Sequence, residues 1–534
     1  MSNKNNDLYK NFIDDNILVN PTLNDSLNLK KFRHLSGVME NHFSVAHEER
    51  ELQLYKKYLN KIPKSESNLN ISDKFLKFIC ETNIESHLYN FNLIPINPLE
   101  NDLTYLAEDA SGNGSYEFTD KKSYSDFLSR IKILPEMCCS IIQKMREGIK
   151  LNYTLPNIAT KQLINQIEEL LKNKSYYNAN ASKEFNNELK EIFETNMTAI
   201  KFFLKEEYLP KCRKSIGWCN LPNGKNEYLF LVKNTITEKN INIKHIHEFG
   251  ILEIKRIEDL MDNIMVQMNF NGKRTDFFKY IRNRKDLKFK NKKHMLDEYT
   301  KMYNKIQKTI MPKLFKKKIK TPCEILSVPE YNEKFSPEAY YIEGDTSGDT
   351  PGRFFINMRN IQQNSKIEIE SLTLHETIPG HHYQLSYVNE SQKLPEFMKL
   401  YGVESYLEGW ALYCENLGEY KTPESYFGKL VLEMIRSLRL VIDTGIHYYG
   451  WSYNKCFKYF KEHGFDTDDQ IHQQLIRYIC LPSQALAYKM GEKCMIECLR
   501  KYYADNGKNI KEFHEKILED GAIPLYILKQ KFNL

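Results

Sequence analysis

SKIEIESLTLHETIPGHHYQ, residues Ser365–Gln384, is the stretch on which the reading of this chain turns. Ser365 followed by Glu368 has the spacing of a capping box and predicts a helix start. Ile367, Leu372 and Leu374 give that helix an apolar side, and His375-Glu376 falls near its end, just before Pro379-Gly380. Two imidazoles at i and i+4 share one helical face and can grip one cation, which is why HExxH is the usual helical metal motif. Here position i+4 is Pro379, and the next imidazoles are His381 and His382. On an undistorted helix six residues rise about 9 Å, and one ion could not join His375 to His381. Proline is disfavoured inside a helix and glycine permits unusual backbone angles. A bulge at Ile378–Gly380 is therefore expected to bring an imidazole back toward His375. His381 is the preferred second ligand and His382 its rival.

A third ligand is expected from another helix. ESYLEGWALYCENLGE, residues 404–419, places Glu404, Glu408 and Glu415 at i, i+4 and i+11, one narrow carboxylate stripe on a 3.6-residue period. Trp410, Leu412 and Leu417 mark the packed sides. A zinc hydrolase uses neutral imidazoles, commonly a carboxylate, and an open position for water, with a further carboxylate beside that water. This pattern assigns His375, His381 and Glu408 as metal ligands, Glu376 as the proton acceptor, and Glu404 and Glu415 as supports to the ligands. A carboxylate-bridged di-iron centre would need two ExxH motifs facing two carboxylates. No ExxH occurs in residues 404–419, and Glu376 to His381 has the wrong spacing.

The rest of the chain frames that site. Apolar residues recur at three- and four-residue intervals in Leu163–Leu171, Phe185–Leu204, Ile251–Phe270, Phe427–Ile442 and Ile510–Leu518. The 534 residues hold only 22 glycines and 18 prolines against 34 tyrosines and 29 phenylalanines, which favours long packed helices over turn-rich β architecture. Strand signals are confined to Ala339–Met358, a hairpin around a Gly/Asp/Thr/Pro cluster, and to residues 219–232, a second small β element around Pro222-Asn223-Gly224. The return strand of the hairpin, Arg353–Met358, is a candidate to pair with a substrate backbone. His245 and His247 form an HxH pair without a partner motif, and Gly250 after them points to a helix-end role.

The net charge of +6 is a mild excess over 146 charged side chains, and its densest runs, Lys313–Lys320 and Lys290–Lys293, read as solvated helix ends or loops. No arginine-rich arm or zinc knuckle accompanies them, so no nucleic-acid partner is expected. No run of 18 apolar residues predicts a membrane span, and the first thirty residues hold no apolar run of signal-peptide length. Eleven cysteines without a CxxC pair read as reduced thiols, and the cytoplasm is the expected compartment.

These residues together resemble a family of largely uncharacterised, mostly bacterial proteins related to the gluzincin metallopeptidases. Its HExxPGHxxQ motif is matched by His375–Gln384 and its EGWALYxE motif by Glu408–Glu415. Further likeness lies at Leu221-Pro222-Asn223-Gly224, His247-Glu248-Phe249-Gly250, Thr350-Pro351-Gly352, Asp443–His447 with Gly450-Trp451, Arg477-Tyr478, Pro482 with Gln484-Ala485-Leu486, Tyr488–Gly491 and Phe513-His514. The resemblance spans roughly residues 85–530. It implies a mainly α, two-lobed metallopeptidase-like fold around a deep cleft, with the small β element next to the active-site helix. An N-terminal helical segment, 1–84, would be continuous with a helical metallopeptidase domain, 85–534. The implied activity is hydrolysis of peptide bonds with one zinc ion, of carboxypeptidase or dipeptidase type. Its alternative is a catalytically impaired peptide-binding protein of the same fold. Two departures stand out, Ser483 where glycine is expected and Gln474 where an acidic residue would orient Arg477.

A tetrahedral oxyanion needs donors beyond a metal. His447 and Tyr488 are the candidates, with Tyr448 an alternative. Arg439, Asp443 and His447 recur every four residues, so adjacent members are expected to touch.

Overall fold

The structure, a computed structural model, describes residues 3–329, 333, 337–344, 350–359, 361–362, 364–463 and 467–534. It is mainly helical, and the elements that matter for the site are numbered here in chain order. They are α1 (Gly224–Ile236), α2 (Ile243–Gln267), α3 (Lys292–Thr309), β1 (Cys323–Ser327), β2 (Ala339–Ile342), β3 (Gly352–Ile356), α4 (Ile369–Glu376), α5 (His381–Asn389), α6 (Glu404–Glu415), α7 (Pro423–His447), α8 (Asp468–Cys480) and α9 (Ala487–Asn506). The periodic segments form helices as expected, at Asn157–Asn173, Lys183–Phe203, α2, α7 and Ile510–Leu518. Among the described residues no helix is long and apolar enough to cross a membrane.

Two large apolar cores hold the molecule together. One joins Met137, Phe193, Phe203, Ile257 and Phe278 to Leu430, Leu438 and Ile446 of α7. The other joins Phe12, Tyr58 and Phe75, from the first hundred residues, to Leu374, Ile378, Trp410, Met495 and Phe513. The N-terminal helices therefore share a core with α4 and α6, which supply the candidate ligands, and the segment before residue 85 is part of the same packed body.

The hairpin expected over 339–358 is present as β2 paired antiparallel to β3, with Tyr341 opposite Phe354. A third strand, β1, pairs in parallel with the other edge of β3, giving the order β1-β3-β2. Because β3 is the central strand, both its edges are satisfied, and it has no free edge for a substrate backbone. That expectation for Arg353–Met358 is corrected. Phe354 and Ile356 of β3 pack with Tyr299 of α3 and Ile369 of α4, so the sheet braces the start of the HE helix.

Three local expectations also fail, each for a tertiary reason. Residues 219–232 are not β: a 3-10 turn at Trp218–Asn220 leads into α1. Gly224 lies so close to the Trp218 carbonyl that a Cβ there would sit 1.6 Å from its oxygen. Tyr228, Phe230 and Val232 are buried on that helix, and packing overrides their strand propensity. Gly250 does not end a helix; it lies inside α2, where a Cβ would come within 2.8 Å of Leu440 Cβ and Val441 Cγ2 of α7. His245 and His247 stand in the first turns of α2, and His247 Nδ1 lies 2.7 Å from Thr444 Oγ1. The Ser365–Glu368 capping box does not form, since Ser365 caps no amide and a 3-10 turn (Lys366–Glu368) precedes α4.

The crossing of α6 over α9 fixes the site most directly. A Cβ on Gly409 would lie 2.4 Å from the Gly491 Cα, and one on Gly491 would lie 1.9 Å from the Ser405 carbonyl oxygen. Only two glycines allow the backbones so close, and the crossing sets Glu408 and Tyr488, on the adjoining turns, side by side. Gly409→Ala must push the helices apart, at a cost of about 3 kcal/mol or more. Chemical denaturation of the variant should show a lowered midpoint; an unchanged midpoint would mean that the close crossing carries no constraint.

Candidate metal centre

The HE helix does not bulge; it stops. α4 ends at Glu376, residues 377–380 turn the chain, and α5 begins at His381. Thr377, with φ −109° and ψ −109°, leaves the helical region. Gly380 then folds back over the helix end, where a Cβ would lie 1.8 Å from the His375 carbonyl oxygen and 2.4 Å from that of Leu374. Trp410 of α6 donates its indole N–H to the Pro379 carbonyl at 2.8 Å and pins the turn to the carboxylate helix. The Pro-Gly pair thus does sterically what a straight helix cannot: it returns the chain so that the imidazole at i+6 faces the one at i.

The result is a compact donor set. His375, His381 and Glu408 each offer one ligand atom, all within 4.8 Å of one another. His375 Nε2 lies 3.4 Å and His381 Nε2 3.5 Å from the same oxygen, Glu408 Oε2. That oxygen is buried and accepts no hydrogen bond among the described residues. Ligands 2.0–2.1 Å from a tetrahedral ion stand about 3.3–3.4 Å apart, because the edge of a tetrahedron is about 1.6 times its radius. The two histidine–glutamate separations match that edge. The donors fit a borderline ion that takes nitrogen and oxygen together, such as zinc. His382 is excluded from the set: its Nδ1 faces the Tyr341 hydroxyl at 2.9 Å, on the β2 side. Of the two rivals, His381 is the one brought together with His375 and Glu408. Among the described residues no second such donor group exists, and a two-metal carboxylate centre finds no second half.

The supports follow from the same helices. Glu415, two turns beyond Glu408 on α6, accepts from His375 Nδ1 at 2.9 Å. This bond places a proton on Nδ1 and turns Nε2, the nitrogen that could ligate once deprotonated, toward His381 and Glu408. Glu415 is itself held by the Ser371 hydroxyl at 2.7 Å and by the Arg436 guanidinium at 3.7 Å. Glu404 plays no such part; it accepts from the Gln484 amide. Burial disfavours a charged His375, but the Glu408 and Glu415 carboxylates outweigh it and raise its pKa to about 9. Glu408 is held well below the ordinary carboxylate range, burial being overcome by the two histidines. Protons on these groups are what a bound cation would displace. Glu376 is buried beside them, and burial raises its pKa while His375 and His381 draw it down. A raised carboxyl at such a place is suited to accept and return a proton.

Tyr488 and His447 part company here. Tyr488 stands close enough to Glu408 for that charge to help raise its pKa after burial, so the phenol stays neutral. Its oxygen accepts from Arg477 Nη2 at 3.0 Å, which leaves the phenolic hydrogen free to be donated elsewhere. His447 is buried in a different setting: its Nδ1 accepts from the Trp218 amide at 3.2 Å, and its Nε2 donates to the Tyr478 carbonyl at 2.7 Å. Both nitrogens are committed to backbone, and burial lowers its pKa to about 3. His447 is a structural residue and not an oxyanion donor. The expected ladder of Arg439, Asp443 and His447 is also corrected, because each bonds across to another element. Arg439 reaches Tyr478, and Asp443 accepts from Tyr228 and from the Ser483 amide.

The two departures are absorbed locally. Ser483 adopts φ +73°, the left-handed conformation that favours glycine, and is held there by Asp443 and by the Thr235 hydroxyl. Gln474 accepts from the Tyr478 hydroxyl at 2.8 Å, whereas Arg477 is oriented by Gln484 and Tyr488. Arg477 does not depend on an acid at 474. Sequence reasoning missed Arg436, Ser371 and the Trp410–Pro379 bond. Trp410 lay inside a motif yet read only as packing, and Arg436 stands on a uniformly buried helix with nothing to single it out.

The comparisons with known proteins bear on the family and the fold. A family model described as "Bacterial protein of unknown function (DUF885)" matches residues 21–532. The chain belongs to that family. It shares its fold with the crystal structure of a candidate lipoprotein from Colwellia psychrerythraea, at TM-score 0.87 and 21% identity, over 99% of this chain and 98% of that one. A candidate lipoprotein of unknown function from Shewanella oneidensis aligns at TM-score 0.75 and 18% identity, over 99% of both chains. No curated protein matches.

Two measurements follow from the buried groups. Glu415→Gln should weaken binding of a divalent cation about 10–100-fold, read by competition with a chromophoric chelator, while leaving the fold intact; unchanged affinity would remove Glu415 from the ligand's support. Asp443 is held up at about 7, chiefly by burial, against an ordinary 3.8. The folded protein therefore keeps a proton that the unfolded chain has released, and this contribution is complete below the lower value and lost as pH rises through the upper one. Asp443→Asn cannot ionise and should gain about 2–4 kcal/mol on the wild type between pH 4 and pH 8. A stability difference that does not change with pH would show that Asp443 is ionised throughout.

Proposed function

We propose that this chain is a zinc-dependent peptidase, with one ion held by His375, His381 and Glu408. The observation that carries the reading is the separation of the two imidazole nitrogens from one orphaned, buried carboxylate oxygen, the edge length of a tetrahedral site. Three protein ligands would leave room for water or a substrate oxygen, as catalytic rather than structural zinc sites do. When bound, zinc would supply Lewis acidity to a substrate carbonyl and lower the pKa of water.

The chain's own residues supply the rest. Glu376, one position from a ligand and poised by burial against two histidines, takes the proton of the attacking water and later gives it to the leaving amine. Tyr488 offers its free phenolic hydrogen to the oxyanion, fixed in place by Arg477. Glu415 holds His375 in the ligating tautomer. The two apolar cores are read as two lobes, with the peptide entering between them. The relation to gluzincin peptidases rests on the HExxPGHxxQ and EGWALYxE motifs, which account for every residue just named except Tyr488 and Arg477. The likeness to the solved structures supports the fold alone.

The test is cleavage of a mixed peptide library by zinc-loaded protein, with products read by mass spectrometry. Activity should vanish with a chelator, return with zinc, and fall at least about a thousandfold in Glu376→Gln while that variant still binds zinc. Equal cleavage by wild type and Glu376→Gln would remove Glu376 from the chemistry. No cleavage by the zinc-loaded wild type would favour a peptide-binding protein of the same fold.

A further inference from the structure

Beside the candidate metal centre lie two guanidiniums with no carboxylate within ion-pair distance among the described residues, Glu408 and Glu404 acting on Arg477 only from farther off. Arg439 of α7 is 6% exposed, and its Nη1 is buried without a hydrogen-bond partner among the described residues. Its Nε is turned toward the Tyr478 hydroxyl at 3.3 Å, and its guanidinium carbon lies 4.3 Å from the centre of the Tyr488 ring. Arg477 of α8 stands on the same ring at 5.9 Å, and its hydrogen bonds go to neutral oxygens, those of Gln484 and Tyr488. No ion pair to a carboxylate within 4.0 Å is formed by either arginine among the described residues, although most other buried cations have one. Lys489 touches Glu253, Glu433 and Glu492, and Arg436 touches Glu415. A buried charge without a close partner is costly, so the orphaned Arg439 Nη1, with the partly buried Arg477 on the same ring, marks a place prepared for an anion.

The surroundings narrow the anion's class. Glu404 and Glu408 are the acidic groups that act on Tyr488 beside these arginines. Two carboxylates nearby disfavour a dianion such as a phosphate ester and leave room for a single negative charge. The planar fork of arginine matches a carboxylate in bidentate fashion. Tyr488 ties this place to the metal centre, because the same phenol that accepts from Arg477 adjoins Glu408.

Resting on the peptidase reading, we propose that Arg439 and Arg477 receive the free C-terminal carboxylate of the peptide, so that the enzyme acts as a carboxypeptidase and not on internal bonds. The carboxylate takes the counter-ion position of both guanidiniums, and the peptide is thereby measured from its C-terminus to the metal. Substrate binding and the placing of Tyr488 are then coupled through Arg477.

Equilibrium binding to zinc-loaded Glu376→Gln protein separates this from the chemistry, since it needs no turnover. Three peptides with otherwise neutral side chains are compared by calorimetry: one with a free C-terminus, the same peptide amidated, and the amidated peptide ending in a glutamate side chain. The free acid should bind at least about tenfold more tightly than either amide. Equal affinity for acid and amide would overturn the assignment, and tight binding of the amidated glutamate peptide would give the subsite to acidic side chains instead. Adding Arg439→Gln should weaken the free acid about tenfold and leave the amide unchanged; equal loss for both would make Arg439 a packing residue. Should the wild type cleave nothing, the peptidase reading fails on its own, while the acid-to-amide ratio still decides the carboxylate site.

Discussion

The molecule depends on one steric constraint, the closeness of Gly380 to the carbonyl ends of α4. A helix has a fixed pitch, and two histidines six positions apart on it cannot meet. Ending the helix at Glu376 and turning back within four residues requires a position where nothing projects from Cα, because the His375 carbonyl occupies the space a Cβ would take. Once that turn exists, His381 faces His375 at a ring-centroid distance of 4.9 Å, with the ring planes nearly perpendicular. The indole of Trp410 fastens the turn to the helix that carries Glu408, so one short loop sets the geometry of all three donors.

A second close approach completes the centre. Gly409 and Gly491 let α6 and α9 cross with their backbones in contact, which brings Tyr488 to Glu408. Around both contacts, polar groups hold one another in defined states. Glu415 fixes His375, Arg436 and Ser371 fix Glu415, and Gln484 links Glu404 to Arg477. A site whose ligands are oriented from behind can stay ordered at low entropic cost when a cation enters.

Much of this was legible in the sequence, and the boundary between what was and what was not is physical. The helices of the two cores follow from three-and-four periodicity, a local property of the chain. The candidate ligands follow from residue type and spacing once the Pro-Gly break is taken as a turn; which of His381 and His382 faces His375 depends on the rotation of α5, where His382 meets Tyr341 of β2. The β reading of residues 219–232 failed because Gly224 and the Trp218 carbonyl impose a helix start that propensity does not show. The third strand went unseen because Cys323–Ser327 pairs with β3 in parallel, so no tight turn joins the two, and with it went the free edge of β3. His447 looked available because a sequence shows a side chain but not the backbone groups that satisfy it.

The direct test is anomalous diffraction from crystals grown with zinc, collected on both sides of the zinc absorption edge. A single peak about 2.0–2.2 Å from His375 Nε2, His381 Nε2 and a Glu408 carboxylate oxygen is the expected result. A peak elsewhere, or an ordered site in which the three side chains point apart at full zinc concentration, would contradict the account.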